Sequence, residues 1–124
     1  MFTNRCLVVI GLLVAANACA QTMTLPKEIS GRWSFSGGSN IFSLEEIVPS
    51  GESAFTANLT WWTRDPACVV RNQSITGRIT ATGIAFDGKT KCDVKFVAEL
   101  NRSEGVWTGR ATTEQGTVVE MKAK

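Results

Sequence analysis

The chain of 124 residues contains no histidine and no tyrosine. Without histidine there is no imidazole base, no Ser–His or Cys–His pair and no histidine metal ligand. Acid–base chemistry would fall to carboxylates or lysines. Most acidic residues map to outward strand positions or turns: Glu52, Asp65, Asp87, Asp93, Glu99, Glu104, Glu114 and Glu120. Glu45 and Glu46 are adjacent, so on a regular strand they point to opposite faces and make a poor catalytic pair. For haem, only Met23 and Met121 are candidate axial ligands. The expectation is a protein that is not an enzyme, with no catalytic residue, no cofactor and no metal.

Long apolar runs are also missing beyond the N-terminus. There, "MFTNR" carries one positive charge, "CLVVIGLLVAA" is apolar, and "ACA" precedes Gln21. This is the pattern of a secretory signal peptide over residues 1–20, too short to span a bilayer comfortably. The rival is lipidation at Cys19, although Ala16 and Asn17 fit a lipobox poorly. The expected location is periplasmic or secreted, with an outer-membrane lipoprotein as the alternative. Loss of Arg5 with the leader leaves twelve basic against eleven acidic residues, a net charge of +1. Signs alternate along the chain, so no basic stripe addresses nucleic acid and no polybasic run addresses a membrane.

Cysteine is scarce in the remainder. Cys6 and Cys19 fall in the leader, which leaves Cys68 and Cys92, 24 positions apart. An even pair in an exported chain reads as one disulfide. A zinc site would need further ligands, and neither a CxxC nor a histidine supplies them.

What is present is β patterning. "GRWSF" places Gly31, Trp33 and Phe35 on one face. "NIFSLEEIV" follows a GG–SN turn, with a bulge expected at Glu45–Glu46. "AFTANLTWW" aligns Phe55, Ala57, Leu59 and Trp61, and turns Trp62 the other way. "SITGRITA", "GIAFDGK", "CDVKFVAEL", "VWTGRAT" and "TVVEMKA" continue the alternation. The one helical candidate is a turn near "PKEI", begun by Pro26. About eight short strands joined by tight turns predict an all-β antiparallel up-and-down meander. Closure into a barrel would remove its edges; a two-sheet sandwich is the alternative. Residues 21–29 read as an N-terminal tail and 30–124 as the β-domain.

Trp33, Trp61 and Trp107 fall on inward faces. They are either core or the walls of a pocket for a small apolar ligand. The outward Trp62, with the loop 63–68, is a candidate contact for a partner.

Gly31-x-Trp33 at the start of the first strand resembles the calycin superfamily, which joins lipocalins, avidins and bacterial metalloprotease inhibitors. The resemblance implies a calycin-like barrel with Trp33 near its floor. "GRWSFSGGSN" has avidin-like spacing and puts Ser39 where that family contacts biotin. Phe35 stands where avidins carry a biotin-binding Asn, so this likeness implies the barrel rather than biotin. "QTMTLPKEISGRW" is similar to small exported inhibitors of serralysin-type zinc proteases, through Leu25-Pro26 and Ser30-Gly31-x-Trp33. In that family the tail enters the protease cleft. The role would fall here to Gln21, Thr22, Met23, Thr24 and Leu25. The expected function is therefore an exported binding protein, foremost an inhibitor of a secreted hydrolase. The alternatives are a small-ligand barrel and an envelope or immunity-type protein with one cognate partner.

Overall fold

The period-two segments become eight antiparallel strands in a computed structural model that describes residues 24–124. The leader with Cys6 and Cys19, and the tail positions Gln21, Thr22 and Met23, lie outside the described residues. The strands are β1 (Ile29–Phe35), β2 (Gly38–Pro49), β3 (Ala54–Trp61), β4 (Val70–Ile79), β5 (Gly83–Lys89), β6 (Lys95–Ser103), β7 (Val106–Thr113) and β8 (Val118–Ala123). Each pairs with its neighbour in sequence, and β1 also pairs with β8. The meander is thus a closed barrel, not a sandwich. Closure needs β1 and β8 to approach tightly at Gly31, where any Cβ would overlap the Lys122 carbonyl oxygen.

Inward residues match the alternation. Phe42, Phe55, Leu59, Ile84, Phe86, Ala98, Leu100 and Met121 are buried, and among the described residues no polar or charged residue is. Two bulges flank β3. On β2, Glu46 takes a positive φ of 50° and the register shifts between Glu45 and Val48, as the paired glutamates foretold. Its carboxylate accepts from Asn58 Nδ2 at 3.2 Å. On β4, Asn72 takes φ 47° and the register shifts opposite Leu59 and Trp61. That extra residue reverses the in–out phase, so Val70 and Ile75 both face inward. This is why β4 begins at Val70 and not at Ser74, where the alternation resumes.

The helical turn expected near Pro26 does not form. The Thr24 carbonyl accepts from Arg102 Nη1 at 3.3 Å and the Lys27 carbonyl accepts from Ile47 N–H at 3.0 Å. Both carbonyls are taken by the barrel, which holds the segment open. The 3₁₀ turn lies instead at Pro66–Cys68, where Pro66 starts it and the Asp65 carboxylate accepts from Ala67 N–H at 3.0 Å.

The barrel has two unlike ends. At one lie the short turns 50–53, 80–82 and 104–105, together with the incoming residues 24–28. Glu104 and Gly105 both adopt positive φ there, the conformation of a two-residue hairpin turn. Leu25 packs against the core, and Arg102 lies over the Trp107 ring at 5.5 Å. This end is closed. At the other lie the turn 36–37 and the loops 62–69, 90–94 and 114–117. The Cys68–Cys92 disulfide joins two of these loops.

Candidate functional site: an aromatic cup at the open end

The last inward positions before the open-end turns are aromatic or small. Trp33 and Phe35 come from β1, Trp61 from β3, Phe96 from β6, Ala111 from β7 and Val119 from β8. They line a hollow of about 220 Å³ that opens to solvent between the loops. The rings form a ladder. Phe35 stacks on Trp33 at 5.7 Å, and Trp33 stacks on Trp61 at 5.3 Å with planes 7° apart. Phe96 meets Trp61 at 4.7 Å with the planes tilted by 34°.

Trp33 is fixed by more than packing. Its indole Nε1–H donates to the Trp62 carbonyl at 3.0 Å, across the barrel from β1 to the end of β3. A buried indole N–H needs such a partner, and this one leaves the ring faces free for apolar contact. Phe35 is the exception to the inward pattern: it is 42% exposed. The alternation points it inward, but it pairs with Gly38 at the turn, one residue beyond the last β1–β8 pair, and forms the lip of the hollow.

The lining is carbon almost throughout, and no charged side chain contributes to it. Thr90, Thr113 and Thr117 complete the rim. The Thr90 oxygen accepts from the amides of Cys92 and Val94 at 3.2 and 3.1 Å, and the Thr113 oxygen from Thr117 N–H at 3.1 Å. These hydroxyls hold the loops in shape. The disulfide and a hydrogen bond from Lys91 N–H to the Cys68 carbonyl at 3.4 Å hold the 90–94 loop from outside. Arg64 Nη2 donates to the Gly37 carbonyl at 3.0 Å and pins the 36–37 turn. The mouth is therefore braced on three sides before anything binds.

The other candidate residues disperse. Trp107 is buried at the closed end and takes no part in the cup. Trp33 lies near the open end, away from the closed floor that the Gly-x-Trp resemblance implied. Ser39 is exposed on the outer wall, cross-strand from Ser34. Trp62 is half-buried on the outside of the mouth, under the Arg71 guanidinium at 4.5 Å. Thr24 and Leu25 sit at the closed end. Alternation in "CDVKFVAEL" and "TVVEMKA" puts Phe96 and Val119 inward without marking them as pocket residues, whereas Ala111 is a small inward residue of the kind that either opens a cavity or lets a barrel taper. Counting inward positions back from each turn would have placed them at one level. Asp65, Cys68 and Cys92 cluster within 4.8 Å, but both sulfurs are bonded to each other and Asp65 caps the 3₁₀ turn. Every described Asp, Glu, Lys and Arg is exposed, and the one ion pair among the described residues is Lys89–Asp93 at 3.2 Å. No known family, curated protein or solved structure matches this chain.

Proposed function

We propose that this is an exported, calycin-like binding protein that acts without catalysis and takes a small apolar group into the cup. The observation that carries the reading is the carbon-lined hollow floored by the Trp33–Trp61 stack and open to solvent. Its volume, about 220 Å³, exceeds the roughly 150 Å³ cavity known to admit benzene. It falls short of the roughly 300–1,000 Å³ of sites for drug-sized molecules. One or two fused rings or a short alkyl chain fit it. With no polar group inside, the ligand's polar part stays at the rim. Bracing by the disulfide and by Arg64 favours binding, because little ordering entropy is left to lose.

The test is calorimetric titration with indole and with n-hexanol. Ala111→Phe, which fills the cup, is the matched variant. Saturable binding that Ala111→Phe abolishes while keeping the wild-type melting curve supports the reading. Absence of binding by the wild type at millimolar probe contradicts it.

A second reading is favoured by the closed end. The Thr24–Arg102 hydrogen bond and the packed Leu25 fix on a rigid base the residues that follow the proposed tail of Gln21, Thr22 and Met23. This suits inhibition of a secreted zinc protease, with Leu25 as anchor rather than contact. Stoichiometric inhibition of a serralysin-type protease by residues 21–124, lost in a protein beginning at Thr24, is the expected result. Equal action of both forms, or none, removes the tail from the account.

A further inference from the structure

The barrel wall is split between β4 and β5. These strands pair only where Gly77–Ile79 meets Ile84–Phe86. Above that rung the rest of β4 pairs only with β3, and Asp87–Lys89 pairs only with β6.

The alternation of an antiparallel ladder tells which main-chain groups face the split. Ile79 N–H donates to the Ser53 carbonyl, so the odd residues of β4 address β3. Thr80 N–H donates to the Gly83 carbonyl, so the even residues address β5. Thr90 N–H donates to the Val94 carbonyl across to β6, so the odd residues of β5 address β4. The N–H and C=O groups of Ser74, Thr76, Asp87 and Lys89 therefore point into the split, beyond the last rung. One side chain crosses it: Gln73 Nε2–H donates to the Lys89 carbonyl at 3.3 Å. A side-chain amide here makes a bond that a neighbouring strand would make. Pairing stops at Gly77 and Phe86, and beyond that point the Gln73 amide takes the place of a ladder bond. The top of the split is held by the disulfide and by the Lys91–Cys68 hydrogen bond.

Between the two walls runs a groove of about 490 Å³ lined by these residues, Gly88 and Phe96. Gly88 has no side chain to obstruct it, and a Cβ there would overlap the Phe96 ring. Phe96 thus stands between groove and cup, lining both.

We infer that the split is a docking slot for an extended segment of a partner polypeptide, added as a strand between β4 and β5. Two facing edges of unpaired donors and acceptors match one chemistry, a peptide main chain, which carries both groups on both sides. The segment runs antiparallel to one wall and parallel to the other. Its inward residues are apolar, since they meet Ile75 and Phe96. Its outward residues are polar, with an acidic one to meet Lys95, because Lys89 on the same rim already pairs with Asp93. It displaces the Gln73 amide from Lys89.

Amide hydrogen exchange on the full-length protein tests this. The probe is a capped peptide alternating valine with threonine, with one central glutamate. In the free protein the amides of Ser74, Thr76, Asp87 and Lys89 exchange fast, while Arg78 and Ala85, which face each other where the strands still pair, are protected. Millimolar peptide slows the four by at least about tenfold, and the same peptide with alternate amides N-methylated does not. Gln73→Ala, which removes the competing amide, lowers the peptide midpoint by about threefold, the loss of one modest hydrogen bond. Protection of the four amides in the free protein overturns the inference, as does no slowing at millimolar peptide. Equal slowing by the methylated peptide also overturns it. Protection that grows with protein concentration alone assigns the slot to a second copy and overturns the partner segment.

Discussion

The two ends of this barrel are built from the same residue types and come out differently. At the closed end a tryptophan, Trp107, is 2% exposed beneath Arg102, and Ile29, Leu44, Phe55 and Leu100 reach 0%. At the open end two tryptophans stack, yet the hollow beside them stays unfilled, and Phe35 projects as a lip. The difference lies in what covers each end. The incoming chain crosses the closed end and drops Leu25 onto the core. Braced loops ring the open end without filling it. Aromatic content alone does not distinguish core from pocket; the cover does.

This contrast can be broken by substitution. Trp107→Ala should cost the most, about 3–5 kcal/mol, because a buried ring leaves a cavity that cannot drain. Cys68→Ser should cost about 3 kcal/mol through the freed loop, and it should open the cup by loosening the 90–94 loop. Trp33→Ala should cost about 2–3 kcal/mol, less than Trp107→Ala, since its space joins a mouth that is open to solvent. Phe35→Ala should cost the least, about 1 kcal/mol, the worth of its stacking on Trp33 at a partly exposed position. Urea melts of the four variants rank them. Equal costs for Trp33 and Trp107 would erase the distinction between the ends. A wild-type melt unmoved by reductant would remove the disulfide from the mouth.

Most of the architecture was readable from alternation. Phe55, Ala57, Leu59 and Trp61 all face inward, and the tight turns placed neighbours side by side. The bulge at Glu46 was legible because on a regular strand one of two adjacent glutamates would have to face the core. The start of β4 was not, because the extra residue at Asn72 reverses phase in mid-strand and hides Val70 behind polar neighbours. The site was half legible. Trp33 and Trp61 were recognisable as pocket residues, since both lie on inward faces. Their level in the barrel is carried not by alternation, which records only in and out, but by the count of inward positions back from each turn. That is also why Trp107, the third inward tryptophan, was grouped with them. The β4–β5 split left no mark in either strand's own pattern, since it depends on where pairing stops.

The most direct test of the proposed cup is the set of indole Nε1–H resonances, followed by NMR while indole is titrated in. The account predicts saturable shifts at Trp33 and Trp61, with Trp107 unmoved at the closed end. No shift at Trp33 and Trp61, or an equal shift at Trp107, would contradict it.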